Sequence, residues 1–206
     1  AKKDNEYYII NSYGTVLGRF DKRIINISDY VLVNLTDLND DGRPFSYFEG
    51  EFGVYTYTGE LVKVLPYAKF KPDKNAGFGI TFSENRLLFT ENGKWGAVDG
   101  SFNTVIEPVY DKVYPFTDSD GGLTIAIANG KYGLIDRDGN AAAEFIYDAI
   151  EPLYTGGKVC AYKVTQGYTE NNDEKYGLLD KYGKMVKQFD ESEPQRLYED
   201  YGLIEV

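Results

Sequence analysis

Alternating oxygen-bearing residues near the start of the chain have the spacing of a cation-binding loop. Asp37, Asn39 and Asp41 stand two residues apart, and Gly42 follows them. In calcium loops, alternate oxygens and a sharp glycine turn wrap a hard cation. The twelfth position of such a loop carries a bidentate glutamate, whereas this chain has Phe48 there. We therefore expect a solvated acidic turn, with calcium binding as the alternative and no other cofactor.

Carboxylates also occur in pairs, the arrangement with which glycoside hydrolases flank the bond they cleave. Asp111 and Asp148, however, each follow a tyrosine at equivalent places of a repeat, as a corner residue that hydrogen-bonds a turn would. The chain has no histidine, so Cys160 lacks an imidazole base to make it a nucleophile. We predict no catalytic residue and interpret the chain as a non-enzyme. The carboxylates considered are Glu107, Asp111, Glu144, Asp148, Glu151, Asp190 and Glu191.

Aromatic side chains provide the other candidates for binding. Their rings offer flat apolar surfaces and cation–π contacts, which suit sugars and choline. Aromatic residues that recur at regular intervals are more typical of a core that stacks internally. The irregularly placed ones are therefore the predicted binding residues: Tyr47, Phe48, Tyr154 and Tyr168.

The charge balance and the lack of a long apolar run exclude several classes of partner. The chain has 206 residues with 22 Lys and Arg against 33 Asp and Glu, a formal net charge of −11. Nucleic-acid-binding proteins need clustered Lys and Arg, so we expect no nucleic acid partner. No apolar run approaches ~18 residues, which predicts no membrane insertion. Since the sequence begins without Met, we expect that an upstream part was removed, which is a signal sequence, a lipoprotein leader or a piece cut off by design. We favour an extracytoplasmic or cell-surface location over the cytoplasm.

The elements that position these residues are predicted to be strands. Aromatic residues make up 16% of the chain, and they come with 22 glycines. Many aromatic residues in short runs, punctuated by Gly and by Asn-Gly or Asp-Gly pairs, are typical of hairpins. The predicted fold class is all-β.

An internal repeat underlies this composition. An aromatic residue, Gly and two apolar residues precede Asp in Trp95–Asp99, Tyr132–Asp136 and Tyr176–Asp180, and looser copies begin at Tyr7, Phe52 and Tyr201. A second aromatic residue follows fifteen residues later at Tyr67, Tyr110 and Tyr147. The positions that we assign to the repeat core are Phe52, Trp95, Gly96, Tyr110, Tyr132, Gly133, Tyr147, Tyr176 and Gly177.

Turn residues set the predicted strand pairing. Asn92-Gly93 and Asn129-Gly130 each separate two apolar runs, which is a strong signal for a type I′ hairpin turn. We therefore pair 87–91 with 94–99 and 123–128 with 131–136. A further turn leads back into residues 141–146. Helix propensity alone favours a helix for this segment, but its position in the repeat predicts a strand. Each unit is thus predicted to be a three-stranded antiparallel meander. A turn glycine stands seven residues after the aromatic in four copies, and Phe102 replaces it in the copy that begins at Trp95.

These residues resemble the bacterial WG-repeat (KWG-repeat) family. The resemblance rests on Lys94-Trp95-Gly96 and on Ile106-Glu107-Pro108-Val109-Tyr110-Asp111. It extends over nearly the whole chain and is specific around residues 90–150, although most copies have Tyr or Phe where the family most often has Trp. It implies a β-rich repeat array, often in exported or surface proteins, and it implies no catalytic or binding residue.

The predicted architecture is one domain, 1–206, of about five units: 1–51, 52–94, 95–131, 132–175 and 176–206. We expect tandem antiparallel hairpins and meanders in an open array. The alternative is a β-propeller-like closed ring, because the mean repeat step of about 42 residues is close to a propeller blade. Three predicted strands per unit, against the four of a blade, favour the open array.

Two long junctions indicate where such an array would bind. The segments 36–47 and 165–174 both precede an aromatic-Gly strand, so they project from one edge of the array, where repeat proteins often carry their binding loops. We expect a non-catalytic scaffold that presents this loop edge to another protein. The alternative is a cell-envelope module that binds glycan or choline.

Overall fold

The chain consists of strands and turns wherever the structure, a computed structural model, describes it. The described residues are 2–3, 6–22, 24–27, 29–36, 49–70, 83–116, 121–168, 170 and 174–190. No helix occurs among them, and thus none that is long and apolar enough to span a membrane. The strands are β1 (Lys2–Lys3), β2 (Glu6–Ile10), β3 (Val16–Phe20), β4 (Ile24–Ile27), β5 (Tyr30–Asn34), β6 (Glu49–Thr56), β7 (Leu61–Phe70), β8 (Leu87–Glu91), β9 (Lys94–Val98), β10 (Thr104–Tyr110), β11 (Lys112–Val113), β12 (Thr124–Ala128), β13 (Lys131–Ile135), β14 (Ala141–Tyr147), β15 (Ala149–Thr155), β16 (Lys158–Tyr168), β17 (Glu174–Asp180) and β18 (Met185–Asp190).

The strands are divided between two compact units. The first comprises residues 1–92 with 97–103, and the second comprises residues 93–96 with 104–206. We predicted one domain of about five repeat units, and the division into repeats stays a prediction.

In the first unit, strand β5 is buried on both faces. The unit contains one sheet in the order β1-β2-β3 and a second in which β4 to β8 follow one another in chain order. Leu32 of β5 packs into a core with Phe52 and Phe102. Its neighbours Val31 and Val33 pack on the opposite face against Phe20. Phe52 therefore takes the predicted core role, with none of its surface exposed.

The second unit contains two four-stranded antiparallel sheets, β11-β12-β13-β14 and β15-β16-β17-β18. Consecutive residues of an aromatic-Gly strand point to opposite faces. Leu134 and Ile135 of β13 are nevertheless both buried, as are Leu178 and Leu179 of β17. These strands are covered on both sides, as predicted.

The prediction of three strands per unit was wrong, because each of these sheets has a fourth strand. After the corner at Asp111 the chain stays extended as β11, which pairs with β12 through Lys112 opposite Ile127 and Val113 opposite Ala126. A two-residue strand is too short to show a period of two in the sequence. The sheets are antiparallel and none of those described closes into a barrel, so the all-β open array of hairpins is confirmed.

The hairpin turns have the predicted geometry. Asn92 and Gly93 have φ of 50° and 77°, and Asn129 and Gly130 have φ of 52° and 75°. Positive φ at both central residues defines a type I′ turn. The segment with high helix propensity is strand β14, because its pairing with β13 prevails over propensity.

A second turn recurs at the end of the aromatic-Gly strands. An Asp or Asn side chain accepts hydrogen bonds through Oδ1 from the backbone N–H groups two and four residues later, at 2.8–3.0 Å. The residue three positions later has positive φ and donates its N–H to the same residue's carbonyl. This combination is a three-residue hairpin loop with a G1 bulge. The four acceptors are Asn11, Asp99, Asp136 and Asp180.

Phe102 occupies the left-handed position of one of these turns. Its φ is 59°, and the equivalent residues of the other three turns are glycines, Gly14, Gly139 and Gly183. Left-handed backbone costs a non-glycine residue roughly 1–2 kcal/mol. Phe102 has no exposed surface, and its ring contacts Tyr30 edge-on with centroids 5.5 Å apart. Losing a buried Phe costs about 3–5 kcal/mol, so packing outweighs strain at this position.

We predict that the free energy of unfolding falls in the order wild type, Phe102→Gly, Phe102→Ala. Both variants lose the ring, but only glycine relieves the backbone strain, so it should be the more stable of the two by about 1 kcal/mol. Urea unfolding followed by circular dichroism measures the order. A Phe102→Gly variant at least as stable as the wild type would show that strain prevails over packing.

Candidate functional site

The aspartate after each corner tyrosine of the second unit is the centre of a repeated group of polar contacts, which we call the corner clamp. Asp111 lies between β10 and β11. Its Oδ1 is 2.5 Å from the Lys94 Nζ, and its Oδ2 accepts a hydrogen bond from the Gly130 backbone N–H at 3.3 Å. One carboxylate thus joins the start of an aromatic-Gly strand to the hairpin turn that precedes the next aromatic-Gly strand.

The next repeat contains the same clamp at the same spacing. Lys131 Nζ is 2.5 Å from Asp148 Oδ1, and the Gly167 N–H donates to Oδ2 at 2.7 Å. In both clamps the lysine precedes the aspartate by 17 residues and the glycine follows it by 19. Asp111 is a corner residue that binds a turn, as the sequence predicted, whereas Asp148 binds a glycine within strand β16.

The corner tyrosines pack between repeats. The Tyr110 ring stacks on Phe145 with centroids 5.5 Å apart, and its hydroxyl donates to the Gly139 carbonyl at 3.1 Å. Tyr147 is buried in the core of the second unit. Burial raises the pKa of both hydroxyls, helped by the nearby Asp136 and Glu144 respectively. Tyr147 therefore lies in the core, and Tyr110 is half-buried between two repeats.

The remaining core candidates of the second unit also lie in strands. Trp95, Tyr132 and Tyr176 are half-buried, while Gly96, Gly133 and Gly177 are buried. At Gly133 a Cβ would come within 2.8 Å of the Phe145 ring, so the bare glycine backbone lets that ring lie on it.

The clamp also determines the charge state of the carboxylates. The pKa of Asp111 lies below its ordinary value, chiefly because of the hydrogen bond from the Lys94 side chain and next because of the Gly130 N–H. For Asp148 the Gly167 N–H lowers the pKa most, followed by Lys131. Both groups are therefore ionised and engaged with protein partners. A general acid of a glycosidase needs a raised pKa instead.

A groove in the second unit forms a cavity lined by described residues. It encloses about 360 Å³ between the ends of β11 and β12 on one side and β15 and β16 on the other. Three tyrosines and two prolines line it together with aliphatic side chains; they are Tyr114, Tyr154, Tyr162, Pro115 and Pro152. We call this cavity the tyrosine groove.

The floor of the tyrosine groove is part of the core and its rim is exposed. Tyr162 is 2% exposed and packs with Leu123 and Val159, whereas Tyr154 is 44% exposed. The Thr124 hydroxyl donates to the backbone carbonyls of Tyr114 and Pro115, at 2.9 and 3.2 Å, which fixes that wall. The groove is therefore preformed.

Charged groups stand at the rim of the tyrosine groove. The Lys112 Nζ lies 4.1 Å from the centroid of the Tyr114 ring and donates to its hydroxyl at 3.0 Å. Glu151 forms an ion pair with Lys163, yet its side chain stays 59% exposed while that of Lys163 is 19% exposed. The rim thus presents an accessible carboxylate on the β15 side.

The structure separates the predicted binding residues. Tyr154 lies in the tyrosine groove, opposite Val159 of β16. Tyr168 is 56% exposed at the other end of β16, nine residues further along, roughly 30 Å away at the usual rise of a strand. Tyr47 and Phe48 lie outside the described residues, as do Asp37, Asn39 and Asp41 of the possible calcium loop. The described residues contain no group of three or more carboxylate or thiol ligands placed to hold a metal ion.

Sequence reasoning missed Tyr114, Tyr162 and the two prolines, because the groove walls come from separate segments. One signal was present in the sequence. Residues 106–110 and 150–154 share the pattern Ile-Glu-Pro-x-Tyr.

Cys160 is half-buried, and its thiol donates to the Leu153 carbonyl at 3.3 Å.

The repeats of this region match a known family. The family model described as "WG containing repeat" matches residues 95–132 and 132–164. This part of the chain belongs to the WG-repeat family. The two matches begin at Trp95 and Tyr132, the residues at which two of the predicted units start. The clamp aspartates Asp111 and Asp148 therefore lie one in each matched WG repeat, while Lys94 and Gly167 lie just outside the matched residues.

Comparisons with whole proteins add little to the family match. No curated protein sequence matches the chain. A solved structure described as "the eukaryotic initiation factor" is 8% identical with a TM-score of 0.39, and the alignment covers 90% of this chain but 60% of that one. A protein of unknown function from Bacteroides caccae is 14% identical with a TM-score of 0.27, over 90% of each chain. At such scores neither likeness bears on function.

We predict that the corner clamps make the stability of this protein sensitive to acid. Their folded-state pKa values lie below the unfolded ones, so the carboxylates stabilise the fold above the ordinary Asp value of about 3.9. This stabilisation is lost as the pH falls through the lowered values. The double variant Asp111→Asn, Asp148→Asn should therefore show a smaller drop in Tm between pH 6 and pH 3.

Glu107→Gln is the matched control for this prediction, because Glu107 is an exposed carboxylate of the same repeat outside the clamp. Its Tm profile should follow that of the wild type. Equal acid sensitivity of the wild type and the double variant would contradict a role for the clamps in stability.

Proposed function

We propose that this chain is a non-catalytic module that binds another protein, and that the tyrosine groove is its binding surface. The observation that carries the proposal is the combination of Tyr114, Tyr154 and Tyr162 in a preformed, largely apolar cavity. Aromatic residues that pack in pockets are enriched among the residues that dominate binding energy at protein interfaces. A volume of about 360 Å³ is also within the usual range for specific sites.

The polar groups of the groove favour a protein over the alternative of glycan or choline. A sugar needs side chains that hydrogen-bond its hydroxyl groups. The Thr124 hydroxyl is already engaged with backbone carbonyls, and Glu151, which is 59% exposed, is the one charged side chain among the described residues that line the groove. Apolar side chains of a peptide would fill the cavity with fewer polar demands.

The occupied corner carboxylates support the non-catalytic part of the proposal. Asp111 and Asp148 each accept hydrogen bonds from a lysine and a backbone N–H. A hydrolase built on these aspartates would have to break a clamp before it could bind substrate.

The location differs from the loop edge expected from the sequence. The groove is formed where β12 and β16 begin, whereas the long junction after β16 lies at the other end of that strand. Tyr168 lies at the loop edge and Tyr154 lies in the groove, so the two surfaces can be tested separately.

Selection from a phage-displayed dodecapeptide library against the purified chain tests the proposal. We predict that enriched peptides bind the wild type and the Tyr168→Ala variant equally, and that their affinity falls at least tenfold with Tyr154→Ala. A tenfold loss corresponds to about 1.4 kcal/mol, which is modest for an aromatic residue at an interface.

Muropeptides and choline chloride are titrated in the same assay to test the glycan and choline alternatives. Binding of either one that depends on Tyr154, with no enriched peptide that does, would replace the proposal by the glycan or choline alternative. Enriched peptides whose binding depends on Tyr168 instead would move the site back to the loop edge.

A further inference from the structure

We propose that the tyrosine groove takes a proline-rich segment in the polyproline II conformation, with a basic residue of that segment beside Glu151. This inference rests on the proposed function and specifies the class of partner. It follows from the side chains that form the groove, from the edge strand beside it and from the charge at its rim.

The edge strand argues against the commonest alternative for an extended peptide, which is to add a strand to a sheet. Strand β15 is at the edge of its sheet, and Pro152 lies in its middle. Proline has no N–H to donate, so a strand that carries it is a poor template for further pairing. A ligand at this edge must be held by side chains rather than by a backbone ladder.

The groove surface suits a ligand that needs few backbone partners. Polyproline II has no internal hydrogen bonds and three residues per turn, and its rings dock into aromatic-lined grooves. Tyr154 is 44% exposed at the rim and Tyr114 is half-buried in the wall, so ring surface is accessible to a ligand there, above the buried Tyr162. The preformed conformation of such a ligand also reduces the entropy lost on binding.

The charge at the rim selects the flanking residue. Glu151 keeps 59% of its side chain exposed beside the groove, and Lys163, its partner, is the more buried member of the pair. The whole chain carries a formal charge of −11. A basic residue next to the prolines would therefore be attracted both by Glu151 and by the protein as a whole.

Three synthetic peptides test the proposal with the full chain by calorimetry at 0.15 M salt. The first has two arginines followed by eight prolines, the second has two glutamates in place of the arginines, and the third has two arginines followed by alternating glycine and serine. We expect the first to bind, the second to bind at least tenfold more weakly, and the third not to bind up to 1 mM.

Variants of the groove connect the binding to named residues. Tyr154→Ala should weaken the arginine–proline peptide at least tenfold, and Tyr168→Ala, an exposed tyrosine outside the groove, should leave it unchanged. Glu151→Gln should reduce the difference between the arginine and glutamate peptides. Each variant's Tm is compared with that of the wild type, and Tyr154→Leu, which keeps apolar bulk, provides a second test if the alanine variant is destabilised.

The experiments distinguish failure of the polyproline proposal from failure of the protein-binding proposal. No binding of the arginine–proline peptide, equal binding of the glycine–serine peptide, or equal effects of Tyr154→Ala and Tyr168→Ala would overturn the polyproline assignment. If the library nevertheless yields peptides without proline that depend on Tyr154, the protein-binding function stands. If it yields none that depend on Tyr154, both proposals fail.

Discussion

The carboxylate of Asp148 lies where the chain leaves one sheet and enters the next, and it contacts both sheets at once. Lys131 belongs to β13 of the first sheet and Gly167 to β16 of the second. The short connection between β14 and β15 places this carboxylate at the boundary, where it links the two sheets. The tyrosine groove lies between the same two sheets.

The clamp fixes geometry, while buried side chains contribute most of the stabilisation. Exposed ion pairs are worth about 0–1 kcal/mol, and the lysines and aspartates of the clamps are partly exposed. Burial of a Leu or Tyr side chain contributes more, roughly 1.5–3 kcal/mol. The core that includes Leu134, Tyr147 and Tyr162 therefore holds the two sheets together, and the Asp148 clamp contacts both of them at their boundary.

Local signals in the sequence predicted most of the hairpins. Asn92-Gly93 and Asn129-Gly130 fixed two turns because few other residue pairs accept positive φ at both positions. The repeat also gave the correct assignment for β14, where propensity alone favoured a helix. It failed for β11, whose two residues are too few for a periodic pattern. It also missed the groove, because residues near 114, 124 and 154 meet only after two sheets have formed.

Two nearly identical segments show what the sequence determined by itself and what the tertiary structure decided. Residues 106–110 and 150–154 both read Ile-Glu-Pro-x-Tyr, and both lie in strands, β10 and β15. Tyr110 stacks on Phe145 and bonds to the Gly139 carbonyl, so it serves the core. Tyr154 stays 44% exposed at the rim of the groove. The exposure of the two rings differs because β10 follows an aromatic-Gly strand, whereas β15 begins a new sheet. The packing of the repeats, and not the local sequence, therefore decides how far each ring is buried.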